Sequence, residues 1–196
     1  DEIRKTYGWE DMGLSSELKG AEIPAEALKG KVGLGTWWTA AEFDNVKVTD
    51  NKTGKTLASD GFALPTNFWW DWKQVTDGDW KISKGKLTQT NTWHAYNELG
   101  ATAFYGKEDW SDYTFTVEAT KLSGNEGFLI PFAMQSTTDN IFWNIGGWGN
   151  TKSCLQRFVN GEKTWEIPGS AEKPRRAIRS DKKRTLLDIL REEKSA

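Results

Sequence analysis

The chain has 196 residues, with 26 lysine and arginine residues against 28 aspartate and glutamate residues, and its mean hydropathy is -0.68. This length suits one domain, with or without an attached segment, and can bury a hydrophobic core. The single cysteine, Cys154, and the single histidine, His94, exclude an intrachain disulfide framework and the usual zinc clusters. No stretch of about 18 apolar residues is present, so the sequence predicts no membrane-spanning helix and no membrane partner.

Tryptophan is the compositional outlier of this polar chain. There are twelve tryptophans and only two methionines, and eleven of the twelve lie between Trp37 and Trp165. Because ordinary cores use aliphatic side chains to fill volume, we expect either aromatic packing between sheets or an aromatic platform for a ligand.

Residues 1–30 are helix-like or loop-like and show no strand alternation, so we treat them as an N-terminal extension. From residue 31 to residue 170 the pattern changes to short strands. Residues 46–48 and 55–57 flank a glycine-containing turn, and residues 80–82 and 87–89 flank Lys84-Gly85, as expected of hairpins. Residues 113–120 alternate apolar and polar, and residues 127–135 are nearly all apolar, which indicates a half-buried strand followed by a central one.

Two further features complete the strand pattern. Pro131, inside the apolar run, predicts a bulge or an edge. Asn160-Gly161 separates two strand-like runs and predicts a hairpin, because both positions tolerate a positive φ. Short strands joined by glycine and asparagine turns predict an all-β sandwich of two antiparallel sheets rather than α/β units.

Residues 171–196 form a basic tail. Nine basic and four acidic residues lie between Lys173 and Lys194, which leaves 17 basic and 24 acidic residues elsewhere. Ser180 is a suitable N-cap for a helix carrying leucines at 186, 187 and 190. We expect a solvated helical extension, and the alternative is an arm that docks a partner or a polyanion.

No catalytic constellation is evident in the sequence. The lone histidine and cysteine lack partner motifs, and the glycines at 33 and 35 lack the context of a phosphate loop. The nearest match to a paired-acid pattern on a strand, Glu42 and Asp44, lacks a third acid. Nucleic acid is not an expected partner, because the aromatic body is acidic and the basic tail has no aromatic rings.

Two aromatic loops are the best candidates for a binding site. Residues 68–72 follow a proline, and residues 93–98 lie between strands and mix aromatic rings with polar groups. Sugar rings present C–H faces that stack on indole, and their hydroxyls need amide or carboxylate partners. We therefore predict that rings stack on Trp69, Trp70, Trp93, Tyr96 and Trp148, and that His94, Asn97, Glu98 and Asn144 bind hydroxyls. The alternative is that one tryptophan of each adjacent pair is core and its neighbour covers a rim.

Several motifs together resemble a known family: GLGTWWTAAEFDNVKVT at 33–49, DWKI at 79–82, WSDYTF at 110–115, GNEGFLI at 124–130 and WNIGGWGN at 143–150. They are similar to the concanavalin-like (laminin-G-like) sandwich modules of bacterial glycoside hydrolases, in particular the sandwich domain of family 51 α-L-arabinofuranosidases. The resemblance covers roughly residues 31–170.

The resemblance implies a jelly-roll of two antiparallel sheets that accompanies a separate catalytic barrel, whose glutamates match no segment here. It also implies plant cell-wall polysaccharide or oligosaccharide as a partner, together with the catalytic domain of the same enzyme. Asp44 matches a position that holds a structural calcium in related sandwiches, and no other cofactor is expected. The resemblance further predicts strands after residue 169, so either the terminal segments replace them or the sandwich is incomplete.

Three functions remain open from the sequence. The first is a non-catalytic carbohydrate-binding or accessory sandwich, the second a structural domain that packs on a catalytic barrel, and the third a stand-alone glycoside hydrolase. The resemblance favours a bacterial extracellular or periplasmic protein, although the lack of disulfides fits a cytoplasmic one equally well.

Overall fold

The structure, a computed structural model, describes residues 4–7, 28–63, 72–74, 78–93, 99–168 and 185–189. In these ranges the strands form two sheets of seven strands each, which confirms the predicted all-β fold with two sheets. Except for one parallel pair, neighbouring strands are antiparallel. No helix among the described residues is long and apolar enough to cross a membrane.

Sheet I has the strand order β1-β14-β9-β3-β7-β6, and β4 pairs with β3 beside this path. Its strands are β1 (Arg4–Tyr7), β3 (Thr39–Asp50), β4 (Thr56–Asp60), β6 (Trp80–Ser83), β7 (Lys86–Gln89), β9 (Tyr113–Gly124) and β14 (Thr185–Ile189).

Sheet II has the order β13-β12-β11-β10-β2-β8-β5. Its strands are β2 (Val32–Thr36), β5 (Lys73–Gln74), β8 (Ala101–Tyr105), β10 (Phe128–Phe132), β11 (Asn140–Gly146), β12 (Lys152–Val159) and β13 (Glu162–Pro168). A four-residue helical turn, α1 (Gly147–Asn150), connects β11 to β12.

Local sequence signals explain most of these elements. Buried and partly buried residues alternate along β9 from residue 113 to residue 121, as the apolar alternation predicts. Asn160 and Gly161 adopt φ values of 54° and 83° and join β12 to β13, so this hairpin prediction is confirmed. Pro131 pairs with Phe142 of β11, but β10 is paired with β2 only at residues 128 and 129, so no ladder bond on that side needs a proline N–H.

The core between the sheets is built from aromatic rings as well as aliphatic side chains. Phe43 of sheet I lies edge-on to Phe128 of sheet II with 6.1 Å between ring centroids. Phe43 also stacks on Trp80 at 6.1 Å. Trp72, Trp80 and Trp143 are all buried in this core, so part of the tryptophan excess serves packing between sheets, as the composition predicts.

The terminal segments differ from the sequence-based expectation. The stretch predicted as a helix contains the strand β14, which pairs antiparallel with β9 from Thr185↔Ala119 to Ile189↔Phe115. Strand β1, in the segment predicted to lack strands, pairs in parallel with β14. Pairing with the free edge of β9 supplies backbone hydrogen bonds to an apolar stretch, and this tertiary gain outweighs local helix propensity. Ser180 lies outside the described residues.

Four connections lie at one end of the sandwich. Thr36, the last residue of β2, is opposite both Phe128, the first residue of β10, and Ala101, the first residue of β8. Phe128 is also opposite Ile145, near the end of β11. The β2–β3 turn, residues 125–127, residues 147–151 and the segment 91–93 therefore meet there. We call these four connections the tryptophan end.

Candidate functional site

The structure describes three of the nine predicted sugar-binding residues and the predicted metal ligand. Trp93 and Trp148 are exposed, with 73% and 41% of their surface accessible, and Asn144 is partly buried. All three belong to the tryptophan end or lie beside it. The other six lie outside the described residues: Trp69, Trp70, His94, Tyr96, Asn97 and Glu98.

Trp148 is presented by a turn with an unusual backbone. Gly146, Trp148, Gly149 and Asn150 all have positive φ, and Trp148 has φ 52° and ψ 54°. A left-handed conformation costs a residue with a Cβ about 1–2 kcal/mol, so surrounding contacts must hold it. The Thr151 hydroxyl donates to the Trp148 carbonyl at 2.7 Å, which is one such contact.

Glu126 holds the same turn from the interior. Its Oε1 accepts the backbone N–H of Gly149 at 3.2 Å, and its carboxylate also accepts the N–H of Trp148. The backbone N–H of Glu126 in turn donates to the Thr39 hydroxyl at 3.1 Å. Through its carboxylate and its backbone N–H, Glu126 therefore connects the turn that carries Trp148 to the first residue of β3.

A second buried charge lies near this carboxylate. Lys121 is on the core-facing side of β9 and is only 7% exposed, and Glu126 is 8% exposed. Burial raises the pKa of Glu126, while the N–H groups of Gly149 and Trp148 and the charge of Lys121 act in the opposite direction. Burial lowers the pKa of Lys121, and the charge of Glu126 opposes this shift. For both groups, desolvation outweighs the mutual attraction.

Asn144 and Lys152 pack against the turn from two sides. A Cβ on Gly147 would lie 2.5 Å from Oδ1 of Asn144, so the amide fills the space beneath this glycine. Asn144 also donates to Gln156 at 3.5 Å. The ammonium of Lys152 lies 3.6 Å from the centroid of the Trp148 ring, a cation–π contact that covers one face of the indole.

A buried glutamine connects the segment that carries Trp93 to the β2–β3 turn. The backbone N–H of Trp93 donates to Oδ1 of Asn91 at 2.8 Å. The Gln89 side-chain amide donates to the carbonyl of Asn91 at 2.8 Å, to the Thr36 hydroxyl at 2.7 Å and to the carbonyl of Thr39 at 3.0 Å. Trp93 is thereby anchored to the strands on both sides of the β2–β3 turn.

The structure also brings in two aromatic residues that sequence reasoning did not assign to the site. Trp37 and Trp38 form the β2–β3 turn, and both are partly buried, with 6.4 Å between ring centroids. Trp38 has φ 44°, and its carbonyl accepts the N–H of Asn125 at 3.1 Å. The Trp-Trp doublet after the glycine-containing run at 33–35 is the signal that could have found them.

The acidic residues considered for catalysis or metal binding make contacts with other groups of the chain. Glu42 forms an ion pair with Lys86 at 2.8 Å. The Asp44 carboxylate accepts the N–H of Asn45 at 2.7 Å, in the irregular part of β3. Among the described residues, no group of three or more histidine, cysteine or acidic side chains is arranged to hold a metal ion. A calcium at Asp44 thus stays a prediction of the sequence.

The described residues define a two-sheet β-sandwich with an aromatic surface at one end. The chain is 39% identical, over 136 residues, to an extracellular exo-α-L-arabinofuranosidase of Streptomyces chartreusis. This region is 69% of the present chain but 16% of that protein, so the similarity concerns one part of a much larger enzyme. No protein-family model and no solved structure matches the chain.

Proposed function

We propose that the chain is a non-catalytic carbohydrate-binding sandwich that accompanies an arabinofuranosidase acting on arabinose-containing plant polysaccharides. The observation that carries this proposal is the tryptophan end, where the exposed Trp93 and Trp148 lie on connections joined by hydrogen bonds through Gln89 and Glu126. Similarity to part of an enzyme named as an arabinofuranosidase supports the substrate class.

The chemistry of the tryptophan end fits a sugar better than an apolar ligand. Indole faces give flat apolar contact for the C–H groups of a sugar ring, and their exposure would be unfavourable on a surface with no partner. Glu126 and Asn144 contact the same turn, Lys121 lies near Glu126, and the three side chains have acceptors and donors suited to hydroxyl groups. A sugar needs both kinds of contact.

The proposed location follows from the same similarity. The relative is named as an extracellular enzyme, and we propose that this domain likewise works outside the cell, where plant cell-wall polysaccharide is found. Its proposed partners are that polysaccharide and the catalytic domain of the same enzyme.

A structural role is the second candidate function. Because the similar region is 16% of the relative, other parts of such an enzyme would have surfaces to pack on, and exposed tryptophans also suit an interface between domains. In that case the tryptophan end would bind a catalytic barrel and no sugar.

A fluorescence titration separates the two candidates. Intrinsic tryptophan emission is followed while arabinoxylan, arabinan or xylo-oligosaccharides are added to the chain. We expect a saturable shift, and we expect Trp93→Ala and Trp148→Ala each to reduce it. Trp110→Phe is the matched control, because the Trp110 carbonyl accepts the N–H of Gly30, next to the opposite end of β2.

No response to any of the three glycans would favour the structural role. Equal loss of response in the Trp110→Phe control would show that the effect is a general loss of folding and would count against a site at the tryptophan end.

A further inference from the structure

Lys121 and Glu126 are two opposite charges buried at the same end of the sandwich. Alternation along β9 places Lys121 on the same face of the strand as Phe115 and Val117, which is the face toward the other sheet. Glu126 follows two residues after the end of this strand and is equally buried. A lysine at the end of a core-facing row is unexpected, because such residues are rarely buried without a partner.

These two groups do not satisfy each other. Among the described residues, no nitrogen–oxygen contact within 4 Å joins them, and Lys121 donates no hydrogen bond to a described group. Glu126 accepts the N–H groups of Trp148 and Gly149, which leaves lone pairs of the carboxylate available. The ammonium has three donors, so with respect to the described part of the chain both side chains retain hydrogen-bonding capacity.

Beyond the hydrogen bonds that Glu126 makes to the turn, the two buried charges themselves add little to the stability of the fold. Desolvation of a charge is unfavourable unless a close partner and further hydrogen bonds compensate for it, and replacement of buried charges by apolar groups is often neutral or stabilising. Perturbed charges of this kind are found at sites that bind something. Here Glu126 lies beneath the turn that presents Trp148 in a left-handed backbone conformation, and Lys121 lies close enough to Glu126 for each charge to affect the pKa of the other.

We propose that Lys121 and Glu126 are the polar contacts of a binding site for a neutral sugar residue beside Trp148. The sugar ring packs on the face of the indole that Lys152 leaves open, one hydroxyl donates to the Glu126 carboxylate, and another accepts from the Lys121 ammonium. A neutral polyol matches one positive and one negative group, whereas a uronic acid would face the carboxylate. This inference rests on the proposed function and names the ligand contacts within it.

The test uses calorimetric titration of the chain with neutral arabinoxylo-oligosaccharides and with a glucuronic-acid-substituted xylo-oligosaccharide. Lys121→Met keeps an unbranched side chain that is one atom shorter and removes the ammonium donor. Glu126→Gln keeps an oxygen for the two backbone N–H groups and removes the charge. Exposed residues provide the matched controls, Lys47→Met and Glu162→Gln.

We expect each of the two site variants to weaken binding of the neutral oligosaccharide tenfold or more, with no fall in the midpoint of thermal unfolding. The controls should bind as the unmodified chain does. Loss of affinity without loss of stability is the result that a structural role for the pair would not produce.

Three outcomes would overturn the inference. Unchanged affinity in both site variants, with normal binding by the unmodified chain, would remove these contacts while leaving the proposed function intact. A large fall in the unfolding midpoint would make the pair structural, and tighter binding of the glucuronic-acid ligand would contradict the neutral class. If the unmodified chain binds no glycan at all, the proposed function fails first.

Discussion

Tryptophans of the core and tryptophans of the tryptophan end differ in burial, backbone conformation and chemical surroundings. Trp80 is buried and stacks on Phe43, with ring centroids 6.1 Å apart. Trp148 is exposed, adopts a positive φ, and lies above buried charges. The core region is apolar and shielded from solvent, and the end region combines exposed rings, a constrained backbone and desolvated polar groups. This difference, rather than tryptophan content, separates the packing core from the proposed binding surface.

The largest effect on stability is expected from truncation in the core. Phe115 is fully buried between the sheets, away from the tryptophan end, and Phe115→Ala should lower the free energy of unfolding by about 3–5 kcal/mol. Denaturation in guanidinium chloride measures this loss, and the molecules that remain folded should still bind glycan. A loss below about 1 kcal/mol would mean that the two regions do not differ in packing.

Trp148→Gly should give the reverse pattern. Glycine adopts the left-handed backbone without the Cβ penalty of about 1–2 kcal/mol, and this gain offsets the lost cation–π contact with Lys152, so the stability should change by no more than about 1 kcal/mol. Glycan binding, followed by titration, should fall strongly. If unfolding becomes easier by an amount typical of Phe115→Ala, Trp148 belongs with the core residues.

Protonation of Glu126 at lower pH should weaken glycan binding and increase the stability of the fold. Its pKa is raised by burial, so the folded chain takes up this proton more readily than the unfolded chain, and its contribution to stability improves as the pH falls from neutral through the raised pKa. Protonation also removes an acceptor charge, so glycan binding should weaken over the same range. Parallel titrations of the unmodified chain and Glu126→Gln check both trends.

The stability difference between these two proteins should shrink as the pH falls, and the variant should lose the pH dependence of binding that Glu126 causes. A variant that keeps the full pH dependence would assign it to another group.

The smallest effect is expected at the cation–π contact. Lys152→Ala should lower the free energy of unfolding by about 0.5–1 kcal/mol, because the ammonium lies over an exposed ring. Glycan affinity should be retained, since the ligand uses the other face of the indole. Loss of affinity as large as that of Trp148→Gly would show that Lys152 itself contacts the sugar.

Local signals made much of the fold predictable. The alternation along β9 and the Asn160-Gly161 turn each depend on a few neighbouring residues, and both are confirmed. The strand nature of residues 185–189 was not predictable in this way, because it arises from pairing with β9, far away in sequence. The jelly-roll strand order and the 31–170 domain boundaries stay predictions.

The candidate site was only partly predictable from the sequence, because it also depends on contacts between residues that are far apart in the chain. Trp93 and Trp148 were predicted from the chemistry of their segments, and this stays a prediction, whereas Lys121 and Glu126 look like ordinary surface charges beside a Gly-Asn turn. Only the antiparallel register brings residues 121–126, the β2–β3 turn and the turn after β11 to one end. Burial of a charge depends on this three-dimensional arrangement, and no spacing in the sequence reports it.

The proposed function requires that a sugar binds at the tryptophan end and not in the core. Each of the twelve tryptophans contributes one indole N–H signal to a proton–nitrogen NMR spectrum, and single Trp→Phe variants would assign these signals. When neutral arabinoxylo-oligosaccharides are added, we expect the signals of Trp38, Trp93 and Trp148 to shift. The signals of Trp72, Trp80 and Trp143 should stay in place. Shifts confined to the second group, or no shift in any of the six, would contradict it.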